Sequence, residues 1–502
     1  MSDASRFVQA DEATQRTYQQ TGFDPASSDT QLSYTSHRVA KPAYNTYEPG
    51  SYEVACYYSD FAQYDARLQD DYNPAHLGRG ADLAQLHAHP TAYDTVIVHS
   101  AAITGDQGEK ASFIAQSAQQ LGRKRGEVTF LDSWGALQSF RNVGAKGFED
   151  VQLPGDFQQD KVLGLLGGLR ELAKRSVAAG RELKIALNVG GWTTSEPFHG
   201  LAKDPAQRQV FAASVVDLFG RFPMFTAVHL DWEYPGAPGN DTPYGPEDAA
   251  NFALLVADVR RALNEAGRED TGIGIALSAD VDILAKTGVA ALVEAGADRL
   301  NLHATDFFGA PWAPALGHQG ALHGDPDNPE AKSVDRTVTY LLGQGIEPRL
   351  IHVGYATSSH NARQATLTSA SPLAGTYGRD ARTPIVGSFE SGVSEWPDLL
   401  ANYLDLETGQ GRNGFTLHTD SVADADFLYN DKTRVFISLD TPRTVRAKAR
   451  YVAEHGLGGL FAWTGDTDNG LLLNAAREGL GQTPTQQTID MNTLYTTGND
   501  AL

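Results

Sequence analysis

The segment Thr226-Ala-Val-His-Leu-Asp-Trp-Glu-Tyr-Pro235 holds two acids, Asp231 and Glu233, separated by a single residue. It reads as a strand, with Val228 and Leu230 alternating with other residues and the Tyr234-Pro235 pair ending the run. Successive strand side chains point to opposite faces, so both acids share one face at the strand end. Each carboxylate raises the proton affinity of the other, and one of them can then stay protonated near neutral pH. A carboxylic acid kept in that state serves as a general acid toward a leaving group. The spacing alone also fits two solvated loop acids. The apolar strand before the pair and Trp232 inside it favour the catalytic reading.

Such a pair needs a rigid scaffold, and the chain supplies alternating elements from about Tyr52 onward. Short β-branched or apolar runs fall at 53–58, 94–100, 184–189, 226–230, 272–278, 299–303, 349–354 and 457–463. Amphipathic stretches lie between them at 160–178, 205–219, 246–266, 286–295, 333–342, 443–454 and 471–480, with a short weak one near 81–87. Strands alternating with helices predict a parallel sheet, and eight such units predict an α/β fold of the (β/α)8 TIM-barrel class; an open doubly wound sheet is the runner-up. Two spacers are too long for simple connections, 105–155 and 355–441. The second contains strand-like pieces at 414–418 and 434–439, so a small α+β insertion subdomain is expected over about 356–440. Active sites of such barrels lie at the C-terminal ends of the strands, where this insertion would wall a cleft.

The barrel is thus expected over 51–502, with a short C-terminal tail from about 483. Residues 1–50 are rich in Gln, Thr, Ser, Asp and Tyr and show no periodicity. They read as an arm, disordered or ordered only by docking on a partner, and as dispensable for hydrolysis of small substrates. The net charge of −22 disfavours nucleic acid and anionic membranes as partners, while a neutral polysaccharide would not be repelled. The single Cys56 excludes an internal disulfide and sits in an apolar strand, as a buried inert thiol would. Nothing at the N-terminus resembles a signal peptide, and no run of 18 apolar residues occurs. Synthesis in the cytoplasm is expected, with release by a non-Sec route or as part of a particle.

Other strand ends carry matching signals: Asn188-Val-Gly-Gly-Trp192, His303-Ala-Thr-Asp306-Phe-Phe-Gly309 and Phe461-Ala-Trp463-Thr-Gly-Asp466. In these positions and this order, residues 52–482 resemble glycoside hydrolase family 18, the chitinases and their relatives. The resemblance includes the family's α+β insertion after strand seven, with its Phe436-Ile-Ser-Leu-Asp440 strand. It implies that Glu233 protonates the glycosidic oxygen and that Asp231 orients the N-acetyl group of the sugar. The acetamido carbonyl of that sugar is then the nucleophile, an exception to the two-carboxylate scheme. Trp463 matches the indole that floors the sugar at the scissile bond. Asp306 matches the acid of a Met-x-Tyr-Asp segment, and Tyr57 a tyrosine at the end of strand one, for which a plain core role stands beside the cleft role. Tyr234 and Trp192, beside the acid and after strand three, join the substrate-binding set, as do His229 and Thr305.

The family's Asp-x-x-Asp-x-Asp-x-Glu signature reads here Thr226-x-x-His229-x-Asp231-x-Glu233. Asn188 stands for a Ser, His303 and Thr305 for the Met and Tyr, and His99-Ser100 where an aromatic is frequent. The missing Tyr hydroxyl would hold the acetamido carbonyl. Thr305 is too short to reach the same point, which leaves a water, His303 or Tyr355. His229 has two readings: an imidazole paired with Asp231 that keeps it ionised, or a satisfied core histidine. Metal binding by His229, His303, Asp231 and Glu233 matches no ligand spacing, and the resemblance implies no metal and no cofactor.

The resemblance implies a retaining, endo-acting hydrolase of β-1,4-linked N-acetylglucosamine polymers, chitin or its oligosaccharides. One alternative is an endo-β-N-acetylglucosaminidase on glycans. The other is a non-catalytic, chitinase-like carbohydrate-binding or particle-associated subunit, since similar subunits occur in bacterial toxin complexes and injection particles. In that case a larger assembly would dock through residues 1–50.

Overall fold

The structure is a computed structural model that describes residues 5–65, 79–144, 151–328, 330–388 and 390–501. Its centre is a closed ring of parallel strands. In chain order these are β1 (Glu53–Ser59), β2 (Thr95–Ile103), β3 (Lys184–Gly190), β4 (Phe225–Asp231), β5 (Gly272–Ser278), β6 (Arg299–His303) and β7 (Ile351–Ala356). The four strands of the insertion's main sheet follow, β8 (His360–Ala362), β9 (Thr416–Asp420), β10 (Ala425–Asn430) and β11 (Val435–Leu439), and then the last barrel strand, β12 (Gly459–Trp463). Each barrel strand pairs in parallel with the next, and β12 pairs with both β7 and β1, which closes the barrel.

The period of two divides the barrel into two cores. Val54, Cys56 and Tyr58 of β1 and Val228 and Leu230 of β4 face outward into one large cluster shared with the helices. Ala55, Tyr57, Ile97, Ala186 and Phe461 face inward and fill the lumen, with Ala227 and Trp463 against them. The same alternation sends His229 and Asp231 inward from β4. Helices Gly164–Ala178, Pro205–Arg221, Asp248–Glu265, Val334–Gly343, Pro442–Glu454 and Leu471–Gly479 form the outer layer. The spacer after β2 adds a short strand, Val128–Phe130, antiparallel to Ala101–Ile103.

Between β7 and helix Pro442–Glu454 the insertion forms a four-stranded antiparallel sheet in the order β8-β11-β10-β9. It has its own small core, Phe308, Ala313, Leu316, Ala362, Ala365, Ala370, Tyr377, Phe427 and Phe436. Three of those residues come from the β6 loop, so the loop that follows His303 is packed by the insertion.

Residues 5–50 are not the disordered or purely docking arm expected above. They carry a helix, Glu12–Thr21, capped by the Asp11 carboxylate. Phe7, Phe23, Ala40, Ala43 and Tyr44 belong to the main hydrophobic cluster. Ser33 donates to Asp398 Oδ1 at 2.7 Å, Asn402 Nδ2 donates to the Tyr18 hydroxyl at 2.8 Å, and Asn45 Nδ2 donates to the Ile489 carbonyl at 2.9 Å. Thr46–Tyr47 pairs with Pro484–Gln486 of the tail. The arm therefore straps the insertion to the last barrel helix. Its apolar residues are isolated rather than periodic, and buried polar side chains such as Ser33 and Asn45 find partners inside the fold, so its composition reads as solvated where these residues are not.

Candidate active site

Asp231 and Glu233 end β4, and the chain around them is tightly tied. Glycines 190 and 191 close β3: Gly190 has φ of +106°, and a Cβ there would lie 2.2 Å from the Asp231 carbonyl oxygen, so only glycine fits. Gly191 N–H donates to that carbonyl at 2.7 Å. Ser195 Oγ donates to the Gly191 and Asp231 carbonyls at 2.9 and 3.1 Å and accepts the Glu233 N–H at 2.9 Å. One hydroxyl thus fixes the backbone at both acids. Three non-proline cis peptide bonds, His99–Ser100, Glu233–Tyr234 and Trp463–Thr464, fall at the same end of the barrel.

Asp231 is 1% exposed, and its Oδ2 accepts from Asn188 Nδ2 at 3.0 Å. Burial raises its carboxyl above the ordinary range, opposed by His303 and by the Asn188 hydrogen bond. Glu233 sits beside it, partly open to the cleft. Its carboxyl is pushed well above the usual range by burial first and the Asp231 charge second, with Asp306 adding to the effect. Burial and the Asp231 charge thus act on Glu233 in the same direction, both favouring its protonated form.

Trp463 ends β12 with its ring edge-on to three others: Tyr57 at 5.0 Å, His303 at 5.2 Å and His99 at 5.3 Å between centroids. This arrangement holds the indole upright while leaving it partly exposed. Tyr57 is fully buried beneath it, and its hydroxyl takes hydrogen bonds from Asn301 Nδ2 at 3.0 Å and with His303 Nε2 at 3.3 Å. Burial drives the His99 imidazole down to about 3, helped by Arg79 and His303, so it is neutral. Trp192 is 50% exposed on the lip, its ring 6.4 Å from that of Tyr234.

Three expectations change. His229 does not pair with Asp231: its Nδ1 meets Asn301 Nδ2 at 3.2 Å, its Nε2 has no hydrogen-bond partner among the described residues, and it is wholly buried. Burial, then the Arg299 charge, hold it neutral, so the core-histidine reading stands and the ionising role does not. Thr305 is 2% exposed and spends its hydroxyl on Asp306 Oδ2 at 2.9 Å, away from any sugar. Tyr355 belongs to the outer cluster between strands and helices, since its position in β7 has outward register. Of the side chains considered for the missing hydroxyl, His303 alone faces the site.

Asp306 carries a 58% exposed carboxylate at the cleft mouth, hydrogen-bonded through Oδ1 to His360 Nε2 at 2.8 Å. Residues that sequence reasoning missed are Asn301, Ser195 and His360. Asn301 had a signal, its inward register in β6 two positions before His303. Ser195 and His360 had none, because their contacts cross loops 38 and 54 residues apart.

The fold and this acid pair at a barrel strand end define a carbohydrate-active hydrolase. A family model, Glycosyl hydrolases family 18, matches residues 53–468, and the chain belongs to that family. It is 39% identical to Chitinase 1 of Yersinia entomophaga over 98% of this chain and 92% of that one. It is also 39% identical to Chitinase 2 of the same organism, over 98% of this chain and 82% of that one. Among solved structures, the chitinase Chi1 fitted into the Yersinia entomophaga toxin complex superposes with a TM-score of 0.90 at 38% identity, covering 96% of this chain and 95% of that one.

Proposed function

We infer that the protein is a chitinase that hydrolyses β-1,4-linked N-acetylglucosamine polymers with retention of configuration, the sugar's own acetamido group acting as nucleophile. The observation that carries the mechanism is the unequal placement of the two acids. Asp231 is buried and engaged by Asn188, so it is poorly placed to attack a sugar carbon. Glu233 is partly open, and burial and the Asp231 charge raise its carboxyl well above the usual range. In the first step the Glu233 proton passes to the glycosidic oxygen, the C1–O bond breaks, and the acetamido carbonyl oxygen bonds to C1. The resulting oxazolinium ion carries its positive charge at the N–H, which Asp231 meets with a hydrogen bond and an opposite charge. Glu233, now ionised, then takes a proton from a water that adds to C1 from the same face as the departed group, while the C1–O bond to the acetamido oxygen breaks and the acetamido group is restored. Trp463 supports the sugar from below, with Asp306, Tyr234 and Trp192 lining the remainder of the groove, while the buried Tyr57 takes the core role and backs the indole.

Glu233→Gln keeps the shape and loses the proton. Turnover of a fluorogenic chitotrioside is expected to fall roughly 100- to 10,000-fold while oligosaccharide affinity survives. Full activity in that variant removes the assignment. A wild-type chain that binds but never cleaves establishes the carbohydrate-binding reading instead.

A second reading adds to the first. The likeness to Chi1 runs along nearly the whole of both chains at a TM-score of 0.90, which supports a particle-associated subunit of a larger assembly. Docking through the outer face of residues 5–50 suits this reading, because the inner face is already occupied by the barrel. Co-expression with subunits encoded beside it is the test, and a chain that always elutes alone removes the assembly reading.

A further inference from the structure

Asp306 is placed more by the insertion than by the barrel. The loop it begins is stitched to the insertion through Gln319, which is 1% exposed: Phe307 N–H donates to the Gln319 carbonyl at 2.9 Å, Gln319 N–H to Ser438 Oγ at 2.8 Å, and Gln319 Nε2 to the Ser358 carbonyl at 2.8 Å. Phe308, Ala313 and Leu316 of the same loop lie in the insertion's own core. Directly on the carboxylate, Oδ2 is taken by Thr305 and Oδ1 by His360 Nε2 at 2.8 Å. His360 opens β8, opposite Ser438 of β11. Asp306 in turn acts electrostatically on Glu233, Tyr234 and His303.

We propose that His360 is a positioning residue for hydrolysis: reaching from the insertion, it fixes the Asp306 carboxylate at the cleft mouth and so couples the seating of the insertion to sugar binding beside Glu233. This inference rests on the reading of Glu233 as the acid. The groups facing Asp306 are Thr305 on its own loop, His303 at the end of β6, Glu233 and Tyr234 at the end of β4, and His360 on β8. Partial desolvation works against ionisation of Asp306, whose side chain is still 58% exposed, and the His360 hydrogen bond and charge outweigh it, leaving the carboxyl below its ordinary range. Without His360 the hydrogen bond and charge that favour the ionised form are lost, so Asp306 takes up a proton at higher pH than in the wild type.

The test compares His360→Ala and His360→Gln with the wild type on a soluble chitotrioside, over a full pH range, with thermal midpoints recorded alongside. His360→Ala is expected to raise KM about tenfold with a smaller fall in kcat, the loss of one charge-assisted hydrogen bond. Its acid limb of kcat/KM should move to higher pH. His360→Gln keeps an N–H donor of similar reach and should recover KM to within about threefold, while its acid limb still moves because the charge is gone. An unaltered KM and acid limb in a folded His360→Ala overturns the proposal. Should His360→Ala fail to fold, an unmoved acid limb in His360→Gln overturns it equally. Glu233→Gln is the control: if it is inactive while the His360 variants are normal, only this inference falls, whereas an active Glu233→Gln brings down the acid assignment itself.

Discussion

At the scale of the residue, the environment that suits Glu233 to the proposed role of acid works against the fold. Burial and the Asp231 charge raise its carboxyl in the native state, so the native protein binds this proton more tightly than the unfolded chain does. The stabilising contribution is fully present below the unfolded pKa of about 4.3 and is lost as pH rises through the raised native value. Glu233→Gln has no charge to bury. Its thermal midpoint should therefore exceed that of the wild type at pH 8 by about 2 °C, with the difference closing near pH 4. Calorimetry at the two pH values decides it, and a variant less stable at pH 8 would show that the ionised carboxylate is well accommodated. The Asp231-x-Glu233 spacing and the strand before it made this pair legible in the sequence. The neutral state of His229 was not legible, since it depends on burial and on the charge of Arg299, 70 residues away along the chain.

At the scale of the element, the strands were legible because lumen and outer layer alternate with a period of two, and each strand repeats that alternation. What fills the lumen at each level was not. Gly274 of β5 is glycine because the His229 ring of β4 occupies its side-chain space: a Cβ there would lie 2.4 Å from His229 Cδ2. The imidazole is wholly buried and hydrogen-bonded to Asn301, so it cannot swing aside. Gly274→Ala should cost about 1–3 kcal/mol of stability in urea unfolding. A loss well below this range would mean that the ring moves freely and that His229 is less constrained than its hydrogen bond implies. A glycine in a strand pattern marks a close approach without saying what approaches.

At the scale of the whole molecule, the arm closes the structure. Phe7, Phe23 and Tyr44 are 2%, 6% and 2% exposed, and Tyr44 donates its hydroxyl proton to the Asp468 carbonyl at 3.0 Å. Removing residues 1–50 strips these side chains from the core and unpairs Thr46–Tyr47 from the tail. The truncated chain is expected to lose stability of the order of 5 kcal/mol or more and to accumulate in the insoluble fraction. Small-substrate hydrolysis should fall with the folded fraction. A soluble truncation with an unchanged thermal midpoint and full activity would show that the strap is ornamental to the barrel.

The amino-acid sequence by itself determined the barrel, the placement of the acid pair and that of Trp463, because each is written in local terms: a period of two, a two-residue spacing, a strand end. Only the tertiary structure decided what the arm does, which face Tyr355 takes and where Thr305 spends its hydroxyl. It alone showed that His360 holds Asp306 from a different subdomain. Those outcomes depend on contacts between residues tens to hundreds of positions apart, and solvation of a polar side chain cannot be told from its burial until the partner that satisfies it is in place.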